Sequence, residues 1–193
     1  MMNREKIEAG FRMVLEGLGV NPDHPLFRET SARTAESWAG ELCAGLDAPG
    51  VDLEAMALEE GAQPGLVALN RIPVRSICAH HLLPFIGEAT VGYVPGGLIC
   101  GLSKLSRVVD HFARRPQLQE NLTQQVARFL EAGLDAAGTA VMIRAEHCCM
   151  KMRGVNHSGT MTTTMMLGQL KSDPALRAEF MALAQPTASS PPL

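Results

Sequence analysis

Gly87-Glu88-Ala89-Thr90-Val91-Gly92-Tyr93-Val94-Pro95-Gly96-Gly97 carries the clearest strand signal in the chain and the turn that ends it. Ala89, Val91 and Tyr93 alternate with Thr90, Gly92 and Val94, the period-2 pattern of a strand, and Pro95-Gly96-Gly97 ends it in a turn. This predicts a strand over 87–95, preceded by another over 71–78. Strand signals return at 139–147 and 159–167, where Thr162-Thr163-Thr164 disfavours helix. Between the two strand pairs lie two helical stripes. Leu105, Val108, Val109 and Phe112 form one; Leu118, Leu122, Val126, Phe129, Leu130 and Leu134 form a longer one. Pro116, following Arg114-Arg115, suits the first turn of the second helix. The order is β-β-α-α-β-β. Strands and helices in blocks predict the α+β class, with an antiparallel four-stranded sheet and two helices.

The flanks are helical. Ile7, Phe11, Val14, Leu15 and Leu18 recur at helix spacing, with Gly19 as a stop. Thr30 or Ser31 can cap a second helix whose stripe is Ala35, Trp38, Ala39 and Leu42. Pro49-Gly50 and Pro64-Gly65 punctuate a segment with room for one short helix. After the last strand, Ser172-Asp173-Pro174 opens a helix with Leu176, Phe180 and Leu183 inward. The expected organisation is an N-terminal helical region over 1–65, an α+β domain over 66–184, and a loose tail over 185–193.

Composition narrows the function classes. The 193 residues are 46% hydrophobic and 19% charged, which is globular rather than disordered. Seventeen basic against 20 acidic residues leave a net charge of −3. A general nucleic-acid or anionic-membrane binder needs a basic surplus, so no nucleic-acid or membrane partner is expected. Nothing reads as a membrane span or a signal peptide. Five cysteines, with Cys148 and Cys149 adjacent, do not suit a disulfide scaffold. They read as reduced thiols, and the expected compartment is cytoplasmic.

The chemistry concentrates in two places. In Cys78-Ala79-His80-His81, a three-residue spacing lets a tight turn aim the Cys78 thiolate and the His81 imidazole at one metal. In His147-Cys148-Cys149, at the end of a predicted strand, parity puts His147 and Cys149 on one face and Cys148 in the core. Two thiolates and one imidazole leave a fourth tetrahedral position open, as in a catalytic zinc site. The competing reading, that free cysteines are small buried hydrophobes, suits Cys43, Cys100 and Cys148. Among the basic residues, Ser103-Lys104-Leu105-Ser106-Arg107 opens a helix, whose N-terminus favours phosphate. Arg153 follows the second cluster, and Arg33 lies in the first turn of the second N-terminal helix. Singly each suits a solvated face; only convergence in space would make a phosphate site. Gln119 and Glu120 sit early in the long helix, where Glu also suits the dipole.

Four motifs together resemble the GTP cyclohydrolase I family. They are Cys78-Ala79-His80-His81-Leu82-Leu83-Pro84-Phe85; Gly101-Leu102-Ser103-Lys104-Leu105-Ser106-Arg107; Arg115-Pro116-Gln117-Leu118-Gln119-Glu120-Asn121-Leu122-Thr123; and His147-Cys148-Cys149-Met150-Lys151-Met152-Arg153-Gly154. Thr30-Ser31-Ala32-Arg33 and Gly45-Leu46-Asp47 resemble the family's N-terminal pattern. The resemblance implies a tunnelling fold and a homo-oligomer, a decamer, with active sites between subunits. It implies conversion of GTP and water to 7,8-dihydroneopterin triphosphate and formate, with Zn2+ as cofactor. By position, Cys78, His81 and Cys149 are the implied zinc ligands and His80 and His147 the acid/base histidines. Gln119 and Glu120 would hold guanine; Ser103, Lys104, Arg107, Arg153 and Arg33 would hold the triphosphate.

Two positions depart from the family pattern: Ala79 replaces a glutamate, and Glu36 replaces a basic residue. Glu36 is placed to pair with Arg33 at helix spacing. These departures motivate two alternatives, a paralogue that uses another guanine nucleotide or stops after ring opening, and a non-catalytic zinc-binding decoy subunit.

Overall fold

The computed structural model describes residues 1–185; most of the expected tail, from residue 186 onward, lies outside the described residues. The chain divides into two compact units, one over Met1–Pro49 and one from Gly50 onward. The first holds α1 (Arg4–Gly17), capped by the Asn3 side chain, and α2 (Thr30–Ser37), which runs on into a π turn over Trp38–Leu42. Phe11 and Trp38 bring their rings to 5.5 Å. Glu36 pairs with Arg4 at 2.5 Å, not with Arg33 as helix spacing had suggested.

The second unit runs β1 (Met56–Ala57), β2 (Val67–Cys78), β3 (Pro84–Val94), β4 (Leu98–Ile99), α3 (Leu102–Ala113), β5 (Pro116–Gln117), α4 (Gln119–Leu134), β6 (Gly138–His147), α5 (Cys148–Lys151), β7 (Met161–Leu167), α6 (Gly168–Ser172) and α7 (Pro174–Leu183). Strands β2, β3, β6 and β7 form an antiparallel sheet in that order, as the block pattern predicts. Short β5 adds to its edge in parallel with Ile77–Cys78. Pro116 therefore starts a strand, not the first turn of α4. An edge position tolerates its missing N–H, and Gln117 O accepts from Ala79 N at 2.9 Å. Residues 48–66 hold no helix. Asp52 accepts from the Glu54 N–H, Glu54 takes φ +47°, and β1 pairs with β4 instead.

The alternation in β3 is real and both its faces are covered. Phe85, Ala89, Val91 and Tyr93 join Ile72 and Val74 of β2, Val141, Ile143 and Ala145 of β6, and the inner stripes of α3 and α4. Val94, Ala140 and Met142, on the other face, pack with Leu170, Phe180 and Ala184. Gly92 lies on that second face: a Cβ there would stand 2.9 Å from the Phe180 ring. Asp173 caps α7 and Pro174 opens it as expected, but Leu183 is 44% exposed and Ala184 takes the inward place. No helix of the described residues is long and apolar enough to cross a membrane.

Candidate active site

The last residue of β2 and the first turn after β6 build the site. Cys78 ends β2 in a tight turn in which Cys78 N donates to Leu83 O and Leu82 N to Cys78 O, both at 2.8 Å. Leu82 takes φ +54° to close it. The turn brings His81 back over Cys78. From the other side, β6 ends at His147 and the chain coils into α5, which presents Cys149. One ligand atom from each of Cys78, His81 and Cys149 lies within 4.8 Å of the others.

The parity argument for this grouping does not survive. The strand stops at His147, so Cys148 and Cys149 belong to a helical turn, and both are half-buried. Cys149 joins the cluster by helical rotation, not by sharing a strand face with His147, and Cys148 is not a core residue. Cys43 and Cys100 are buried, as expected.

The donor set fits a borderline divalent cation. Two sulfurs and one imidazole nitrogen are the ligand chemistry of a three-ligand zinc site with one position open. Burial, and then the neighbouring Cys78 sulfur, push the Cys149 thiol up. A cation between the sulfurs would relieve that crowding by favouring both thiolates. The Arg153 guanidinium reaches His81 Nε2 at 3.3 Å, so a fixed positive charge borders the cluster. His80 is exposed, its ring edge-on to His81 at 6.2 Å.

His147 is 9% exposed. Its ring stacks on Phe85, and its Nε2 meets Gln119 Oε1 at 2.8 Å. Burial holds its pKa below the ordinary histidine value, against the opposing pull of the Glu120 carboxylate. An imidazole kept neutral near pH 7 is suited to accept a proton. Gln119 and Glu120, though adjacent, face differently. Gln119 is 1% exposed with its amide fully engaged, whereas Glu120 is exposed and lines a cleft of about 290 Å³ with Asn121, Thr123, Gln124, Thr163 and Met165.

The helix α3 begins after Gly101 with no side-chain cap. Ser103 and Arg107 are exposed there. Lys104 is not: it is 7% exposed and ion-paired with Glu54. Arg33 is exposed on α2 of the first unit.

Residues 7–185 match the sequence pattern described as GTP cyclohydrolase I. The chain belongs to the GTP cyclohydrolase I family. Proteins named GTP cyclohydrolase 1 are 46% identical over 186 residues in Carboxydothermus hydrogenoformans (95% of each chain) and 44% identical over 185 residues in Acetivibrio thermocellus (95% of this chain, 98% of that one). One from Rhodopirellula baltica is 43% identical over 95% of this chain and 80% of its own. Among solved structures, an archaeosine synthase QueF-Like in the apo form aligns at TM-score 0.47 and 19% identity, covering 55% of this chain and 97% of that one.

Within this GTP cyclohydrolase I family member, several site residues carried no sequence signal of their own. Phe85, Thr123 and Thr163 surround His147 and Gln119, and Glu54 occupies Lys104. The Thr163 reading as plain strand material was correct as far as it went. The inward alternation of Met161, Thr163 and Met165 is the trace that could have marked it.

Proposed function

We propose that the chain is a zinc-dependent GTP cyclohydrolase I, opening the imidazole ring of GTP at C8 and giving 7,8-dihydroneopterin triphosphate and formate. The observation that carries this reading is the meeting of Cys78, His81 and Cys149 within 4.8 Å in a chain of this family. The catalytic domain is residues 66–184 in a tunnelling fold, working in the cytoplasm as a homodecamer with sites between subunits and no nucleic-acid or membrane partner.

Cys78, His81 and Cys149 would hold the zinc. When bound, the ion supplies Lewis acidity that makes a water nucleophilic toward C8 near neutral pH. The protein supplies the proton transfers and the orientation. His147, neutral by burial, takes a proton and returns one to the ring nitrogen as the C8–N bond breaks, with His80 as the second carrier. The exposed Glu120 carboxylate accepts two N–H groups from the guanine edge, a pairing adenine cannot offer, and so penalises the wrong base. Ser103, Lys104, Arg107, Arg153 and Arg33 hold the triphosphate, the guanidinium of Arg153 from beside His81.

The test is incubation of zinc-loaded protein with GTP, following formate and the fluorescent oxidised pterin together. Equal amounts of both support the full reaction. Formate without pterin means that the chain stops after ring opening. Neither product, from GTP or any other guanine nucleotide, with zinc bound, means a decoy subunit and overturns the reading.

A further inference from the structure

We propose that Gln119 is a positioning residue for His147, acting through a chain of hydrogen bonds with Thr123 and Thr163 that orients the imidazole and makes its Nε2 the protonated nitrogen, donating to the Gln119 amide oxygen. The kinetic consequence rests on the acid/base reading of His147 above; the tautomer does not.

The two protons of the Gln119 amide face three acceptors. Gln119 Nε2 lies 3.0 Å from Ile143 O, 3.1 Å from Met161 O and 3.1 Å from Thr163 Oγ1. Two of these are backbone carbonyls, which only accept. Turning the amide over would aim its oxygen at them and leave buried acceptors unpaired. The amide is therefore held with Oε1 toward His147 Nε2 at 2.8 Å. Oε1 has no proton, so Nε2 must donate.

The hydroxyls close the circuit. Thr123 Oγ1 donates to the Gln119 backbone carbonyl at 2.7 Å, which uses its single proton. The 2.6 Å contact between the Thr123 and Thr163 hydroxyls must then be donated by Thr163. That leaves the Thr163 oxygen free to accept from Gln119, sharing the two amide protons with the carbonyls of Ile143 and Met161. Gln119 and Thr123 are each 1% exposed, so water does not compete for these groups. The side-chain amide has nothing left to offer a base, which departs from the guanine-holding role that the family resemblance implies for Gln119. Phe85, stacked on His147, restricts the plane of the same imidazole. Thr123 and Thr163 also line the cleft beside Glu120.

The decisive experiment is solid-state 15N NMR of the zinc-loaded full chain labelled at the histidine ring nitrogens, read as wild type minus His147→Asn. A protonated Nε2 is expected. Gln119→Met, which keeps chain length and removes the amide, should give a mixture of tautomers. Thr163→Val should move part of the way and Thr163→Ser should match wild type, a pair that decides the matter even if Gln119→Met folds poorly. An unprotonated Nε2 in wild type, or an unchanged spectrum in Gln119→Met and Thr163→Val, overturns the proposal. In turnover, Gln119→Met should lower kcat by about a hundredfold while KM for GTP and the preference for GTP over inosine triphosphate hardly move. A raised KM with lost preference would return Gln119 to guanine binding. If wild type does not turn over GTP, the proposed function fails and the spectrum still decides the tautomer.

Discussion

Phe85 lies face to face with His147, ring centroids 4.7 Å apart and planes 10° from parallel. The two are register partners on β3 and β6, so strand pairing itself delivers the stack. Phe85 is fully buried, so truncating its ring removes core packing. Phe85→Ala should cost about 3–5 kcal/mol in denaturant unfolding, and Phe85→Leu distinctly less. Both should slow turnover more than their stabilities explain, because the imidazole loses the surface that sets its plane. Phe85→Leu with wild-type turnover would reduce the stack to packing.

Metal retention separates the adjacent cysteines. Cys149 contributes a ligand atom to the cluster with Cys78 and His81; Cys148 does not. Cys149→Ser should purify without stoichiometric zinc and lose the drop in melting temperature that a chelator causes in wild type, since bound metal stabilises by mass action. Cys148→Ser should keep both. Metal loss from Cys148→Ser alone would show that the cluster is wrongly composed.

Much of the fold was legible because local pattern and long-range packing agree. Ala89, Val91 and Tyr93 face one core and Val94 the other, so the alternation in β3 reports real burial. The site was legible as far as chain neighbours carry it: three residues of spacing already bring His81 to Cys78. It failed where a local period ended unseen. Nothing in His147-Cys148-Cys149 announces that the strand stops at its first residue and a helical turn begins. The fate of Gln119 was equally hidden, because its acceptors come from Ile143, Met161 and Thr163, 24 to 44 residues away. Pro116 was misplaced for the same reason. Its short strand exists only because Ile77 and Cys78 lie alongside.

Lys104 illustrates a competition that sequence spacing did not show. Its ammonium is nearly buried and paired with the exposed Glu54 carboxylate. If Lys104 serves the triphosphate, Glu54 competes with that anion for the same charge. Glu54→Gln should therefore lower KM for GTP, most clearly at low ionic strength where the pair is least screened, and leave kcat near wild type. Lys104→Met should raise KM in either background. A Glu54→Gln variant with unchanged or higher KM would mean that the Lys104 ammonium stays buried at the start of α3 and does not reach the substrate.

His111 gives a pH-dependent stability remote from the metal cluster. Its Nε2 lies 3.2 Å from Arg115 Nη2, and a guanidinium only donates, so the imidazole accepts there as the neutral ring. Burial and then the Arg115 charge hold its pKa below the ordinary 6.5, outweighing the Asp110 carboxylate that pulls the other way. The sign follows from proton uptake. Below about pH 6.5 the unfolded chain binds a proton that the folded His111 resists, so unfolding is favoured as pH falls. Stability is thus complete above the unfolded value and is lost as pH drops from there toward the lower folded one. His147, also held low by burial, adds a loss of the same sign. The comparison must therefore be a difference between proteins. His111→Gln keeps an acceptor for Arg115 but cannot titrate. Melting temperatures of the two should agree at pH 8 and diverge below pH about 6.5, with wild type falling faster. Parallel curves through that range would show that His111 takes up its proton equally in both states and contributes nothing to acid sensitivity.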